Sequence, residues 1–169
     1  MRIEYKTEHT ELANLAAAGN VVVSMLPEPF VTTVLNKNAD MRIALNLTDE
    51  WVKACEINGV ESTLAMGCLV VRTAFAQENP EALRVFLEEY RDSVVFVKNN
   101  VDAAAALVEK QAILPSAALA AKAIPNCNIV FIEGADMKLI AKQNLQVLFD
   151  ANPAAIGGAE PNNDFYFGA

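Results

Sequence analysis

The residues of this chain best placed to do chemistry are Pro27-Glu28-Pro29, one carboxylate held between two prolines. Each proline fixes its own φ, so Glu28 is expected to stand at a set angle where an apolar run, Val21-Val22-Val23-Ser24-Met25-Leu26, gives way to the next element. An ionised carboxylate in that place can accept hydrogen bonds from an amine, a pyrimidine or a hydroxyl. Pro27 and Ser24 would stand beside it, with Thr32 and Thr33 a turn further on. The plain structural alternative is that Glu28 simply opens a helix, where the macrodipole favours an acid. The residues alone leave both readings open.

Trp51, the single tryptophan, could form an aromatic wall for a flat ligand or pack in the core. Met66 and Gly67 open a second apolar run, and a glycine there would let a ligand or a neighbouring backbone come close, or would mark a bulge. Arg72 ends that run and could meet an anion, although a lone arginine at such a point is more often solvated. His9, Glu28 and Cys68 are conceivable as acid, base and nucleophile. Against this, His9 lies between Glu8 and Thr10 at a helix cap, and Cys68 falls inside an apolar run, where a small core residue is the simpler account. No catalysis is expected. Cys55, Cys68 and Cys127 lack metal-ligand spacing and there is one histidine, so neither a metal nor another cofactor is expected.

These residues need elements to position them, and the pattern predicts alternating strands and helices. Residues 2–6 alternate as a strand, and residues 10–18 form an alanine- and leucine-rich helix stopped by Gly19. Val21 to Met25 is expected as a strand buried on both faces. A helix from Pro29 to about Asn36, a strand over 41–47 and a capped helix start at Thr48 follow, and the Asn58-Gly59 pair marks a turn. Residues 64–72 form the next strand, and Asn79-Pro80-Glu81 opens the longest helix, to about Asn99. Its residues Leu83, Phe86, Leu87, Tyr90, Val94 and Val97 recur at three- and four-residue steps, so that face is expected in the core. A helix starting at Asn100 or Asp102 and running through Lys110, a helix over 115–123, a short strand over 129–132, a helix over 135–149 and an irregular tail complete the order.

Of the 169 residues, 53% are hydrophobic and 20% charged, enough for a packed core and unlike a disordered tail. A net charge of −8 with scattered basic residues argues against nucleic acid as a partner, since phosphates call for clustered lysine and arginine. No apolar run approaches the roughly 20 residues a membrane-spanning helix requires.

The order of helix, glycine, apolar strand and Glu-Pro from Leu12 to Pro29 resembles the solute-binding proteins of ABC importers, in the taurine, nitrate and thiamine-precursor branch of the type 2 periplasmic-binding-protein fold. The passage from Gly67 to Leu83 is similar to that family's strand, arginine, short helix, Asn-Pro-Glu and long helix. The resemblance implies a three-layer α/β fold, apparently incomplete. Residues 1–47 would be the last α/β unit of the second lobe, 48–64 a return crossing, and 65–169 the C-terminal part of the first lobe. It implies capture of a small polar or heterocyclic solute without catalysis, by a site including Ser24, Pro27, Glu28, Trp51, Met66 and Gly67. The partner would be an ABC transporter membrane permease, and the full-length parent would be extracytoplasmic, although Met1 leads straight into a strand-like run with no secretion signal. Incomplete lobes leave strand edges open, so a homodimer or domain-swapped assembly is expected. The alternative is a stand-alone α/β module that self-associates or docks on a partner and binds no solute by itself.

Overall fold

A computed structural model describes residues 3–59 and 63–168. Arg2 of the first expected strand and residues 60–62 of the expected crossing lie outside the described residues.

The described chain is built from helices. They are α1 (His9–Ala17), α2 (Phe30–Lys37), α3 (Leu47–Asn58), α4 (Thr73–Glu78), α5 (Pro80–Asn99), α6 (Val101–Lys110), α7 (Ala117–Ala123) and α8 (Gly134–Ala151), with short 3-10 turns at Ile124–Asn126, Pro153–Ile156 and Asn163–Phe165. Local chemistry sets their ends. Asn46 accepts a hydrogen bond from the Thr48 backbone N–H at 3.0 Å and so caps α3, with Asp49 and Glu50 in the first turn. Gly59, at φ +63°, closes the same helix in the left-handed conformation that glycine takes without strain. Ser116 caps α7 by accepting from the Leu119 N–H at 3.2 Å. Asn38, just past α2, donates from Nδ2 to the Ala17 carbonyl at 3.2 Å, which satisfies an open carbonyl at the end of α1 and ties the two helices together.

The chain divides into two compact units, one of Met1–Ile43 with Glu81–Val130 and the other of Ala44–Pro80 with Phe131–Ala169. In the first, α1 packs on α2, α2 on α7 and α7 on α6. The contacts are made by small residues: Ala13, Ala16, Ala104, Ala105, Ala120 and Ala123 are buried, joined by Val34 and Leu119. Alanine at a crossing lets helix axes approach closely, at the lower end of the usual spacing. Val21, Leu26, Phe30 and Met41 pack part-buried against Ala13, Ala16 and Val34. In the second unit the Pro153–Ile156 turn packs on α8 and Tyr166 is buried.

The three-layer α/β expectation is overturned, and the type 2 periplasmic-binding-protein architecture with it, because the described residues contain no strand and no sheet. The runs expected as strands at 3–6, 21–25, 41–46, 64–72 and 129–132 are irregular and form no ladder with one another. Val22 and Val23, expected buried on both faces, fall in a bend and are 94% and 83% exposed. β-branched residues favour strands only where a neighbouring strand and a facing layer give them something to pack against. A helix satisfies its own backbone; a strand borrows its bonds from a neighbour that these runs do not have. The core expectation for α5 also narrows. Leu83 and Val94 are buried, whereas Phe86 and Tyr90 stack on each other at the surface, ring centroids 6.1 Å apart.

Candidate functional site

Glu28 takes up the structural role that the sequence left open. Its carboxylate Oε2 accepts a hydrogen bond from the Thr32 backbone N–H at 3.1 Å, in the first turn of α2, and Thr33 Oγ1 donates to the Pro29 carbonyl at 2.9 Å. One carboxylate oxygen and the positive end of the helix are thereby matched, and Thr32 is buried in the process. The His9 ring lies 5.5 Å from that of Phe30, so the one histidine is spent on an aromatic contact at the same helix start. Cys127 belongs to this neighbourhood: burial first, and the negative charge of Glu28 second, push its thiol above the usual range. A thiol shifted in that direction is a poor nucleophile at neutral pH.

Replacing Glu28 by alanine is therefore expected to lower stability by about 0.3–1 kcal/mol, the ordinary worth of an acid at a helix N-terminus. Circular dichroism melts of the two proteins check it. A loss near zero would show that the carboxylate does not hold the start of α2.

The six residues expected to share a site divide between the two units. Ser24, Pro27 and Glu28 belong to the first, and Trp51, Met66 and Gly67 to the second. Gly67 has no atom of a described residue within 4 Å of a Cβ built there, so no close approach of the described backbone calls for glycine at this point. Met66 is 77% exposed. Trp51, on α3, is half-buried, and its Nε1 is shielded from solvent with no acceptor among the described residues. A shielded indole N–H normally finds a partner, because leaving it unmet forfeits the hydrogen bond it makes in water. Of the six, Trp51 is the residue with chemistry still to spend.

A second feature carries no signal in the spacing. An open groove of about 430 Å³ runs between α5 and α6, lined mainly by Phe96, Val97, Ala104, Leu107, Val108 and Ile113, with Asp92, Ser93 and Gln111 at its margins. Val97 and the α6 alanines read as ordinary core stripe, and only the helix pair's geometry leaves a furrow there. Among the described residues no group of three or more His, Cys, Asp or Glu side chains converges as a metal site would require. No helix among them is long and apolar enough to cross a membrane. Compared with protein-family models, with curated proteins and with solved structures, the chain has no significant match.

Proposed function

We propose that this chain is a non-catalytic binding component of solute import, which takes up a small polar or heterocyclic solute outside the cytoplasm and passes it to the membrane permease of an ABC transporter. Two things support the reading. The residue order over Leu12 to Pro29 and over Gly67 to Leu83 resembles that of importer solute-binding proteins in sequence alone, because the strands that order includes, at 21–25 and 64–72, are not formed; what is carried over is the role. The observation that carries solute binding by this chain is Trp51, whose shielded Nε1 has no acceptor among the described residues. A carbonyl, sulfonate oxygen or ring nitrogen of a solute would supply one once the groups that shield Nε1 move aside, and the indole face would then cover a flat ring.

The single tryptophan makes the test direct. Titration of the protein with thiamine precursors, flavin-like heterocycles, amines, sulfonates and nitrate is followed by Trp51 fluorescence and by melting temperature. A saturable change in both signals with one class, with the melting shift abolished in Trp51→Phe, is the expected result, because a ligand that binds the folded state stabilises it by mass action. No change with any class would remove solute binding from this chain. A second reading, a module that docks on a partner or on itself and binds no solute alone, is favoured by the exposure of Val22, Val23, Met66, Leu69 and Val70.

A further inference from the structure

Residues 63–71, Thr-Leu-Ala-Met-Gly-Cys-Leu-Val-Val, run without helix, turn or bend. No described residue in this run enters a hydrogen bond with another described residue. The run holds no proline and no charged side chain in a chain of net charge −8. Ala65 through Val70 are all exposed, Val70 by 75%. An unbent, uncharged and open run that ends in two valines is a template for another run of the same kind. The valine-rich run at 21–26 is a weaker template, since it bends at Val22 and Val23 and has Val21 and Leu26 packed on the core of its own unit.

We propose that a second copy of this chain pairs with residues 63–71 in an antiparallel two-fold arrangement. The inference deepens the docking reading above and rests on it; solute binding is read separately through Trp51. Charge argues for the second copy. An acidic partner surface would meet no cation within 63–71, whereas the identical run in another copy is itself uncharged and adds no buried ion. Charge also sets the direction. Arg72 closes the run, so parallel pairing would set two arginines side by side, about 5 Å apart. Antiparallel pairing sends them to opposite ends, roughly 30 Å apart at about 3.3 Å per residue, beyond the screening length at moderate salt. Pairing satisfies backbone donors and acceptors on the shared edge, and the two-fold makes one patch serve both copies. Elsewhere the two chains repel, so raising salt strengthens the association.

Cys68 lies next to the middle of the run and is exposed. In a pair centred near Gly67 the two Cys68 positions are diagonal neighbours, about 7–8 Å apart. The test uses the full chain with Cys55→Ala and Cys127→Ala, treated with a short bis-maleimide across a range of protein concentrations and followed by sedimentation velocity. The expected result is a concentration-dependent dimer, cross-linked through Cys68, whose yield falls at least tenfold in the same chain carrying Val70→Lys. Val70 is a surface residue, and an unchanged helical circular dichroism spectrum confirms that the variant is folded. A dimer that neither cross-links at Cys68 nor responds to Val70→Lys overturns the assignment to 63–71 and leaves self-association standing. A monomer at every concentration overturns both, and Trp51 fluorescence in that monomer still reports solute.

Discussion

Replacing Tyr166 by alanine is expected to cost about 3–5 kcal/mol, in the range for emptying a buried aromatic site. At 5% exposed, Tyr166 is the buried apolar residue of the unit formed by Ala44–Pro80 and Phe131–Ala169, among the described residues. Its ring meets Phe165 edge-on at 5.3 Å, and Lys138 of α8 stands over it at 5.8 Å from Nζ to the ring centroid. The tail also returns to the start of α8, where the Gly168 carbonyl oxygen lies 3.6 Å from a Cβ built on Gly134. One ring thus fixes residues 165–168 against the first turns of the unit's longest helix. In Tyr166→Ala the tail is expected to become cleavable by chymotrypsin at Phe165 and Phe167, and the melting temperature to fall by roughly 2–4 °C for each kcal/mol lost. Tyr166→Phe keeps the ring and should leave both readouts close to the parent; a Tyr166→Ala protein that melts with the parent would show that the tail is not docked through this residue.

The same side chain has a pH signature. Burial, and then the negative charge of Glu160, raise the Tyr166 phenol above its ordinary pKa of 10.0. The folded state therefore holds its proton more tightly than the unfolded chain does. The associated stability is complete below the ordinary value and is lost as pH rises through the folded-state value. Tyr166→Phe removes that alkaline loss, which a comparison of melts above pH 10 would detect.

Helices and strands were legible in this sequence to very different degrees, for one physical reason. The expected long helix from Asn79-Pro80-Glu81 to Asn99 is found as Pro80–Asn99, and the turn expected at Asn58-Gly59 falls at the end of α3. Caps, first-turn acids and glycine stops act within a few residues, and those residues are in the sequence side by side. Val21-Val22-Val23 and Leu64 to Arg72 carry an equally strong local signal for strands. Whether such a run becomes one depends on a neighbour distant in sequence, and pairing partners are not written locally. The site was legible in part by the same rule. Glu28 was visible both as ligand and as helix start, and a contact four residues away, to the Thr32 N–H, supplies the helix-start role. That Trp51 Nε1 has no acceptor among the described residues could not be read at all, since it depends on what surrounds the indole in space.

Among the buried residues of the unit formed by Met1–Ile43 and Glu81–Val130, Ala120 is expected to be the least tolerant of charge. It is 0% exposed on α7, the helix that packs on both α2 and α6. Ala120→Asp places a carboxylate where no cation or donor has been arranged for it, and the expected loss is about 3–5 kcal/mol, as for other uncompensated buried charges. That is a large part of the roughly 5–15 kcal/mol that holds a typical domain together. The margin is expected to be narrow, because this unit's buried residues are mostly alanines and no large side chain among the described residues is fully buried. Each alanine removes little apolar surface from water, at about 25 cal/mol per Å². Two residues earlier, Ala118 is exposed on the same helix, and Ala118→Asp should change stability by no more than about 0.5 kcal/mol. Urea titrations of the two variants read the difference; Ala118 stands in the first turn of α7, where the helix dipole favours an acid, so its variant marks the near-neutral end of the comparison. Equal losses would mean that α7 is not seated on α2 and α6. A loss confined to Ala120→Asp would establish that small-residue crossings hold this unit, and that further burial, by a solute or by a second copy, would act on a fold with little stability in reserve.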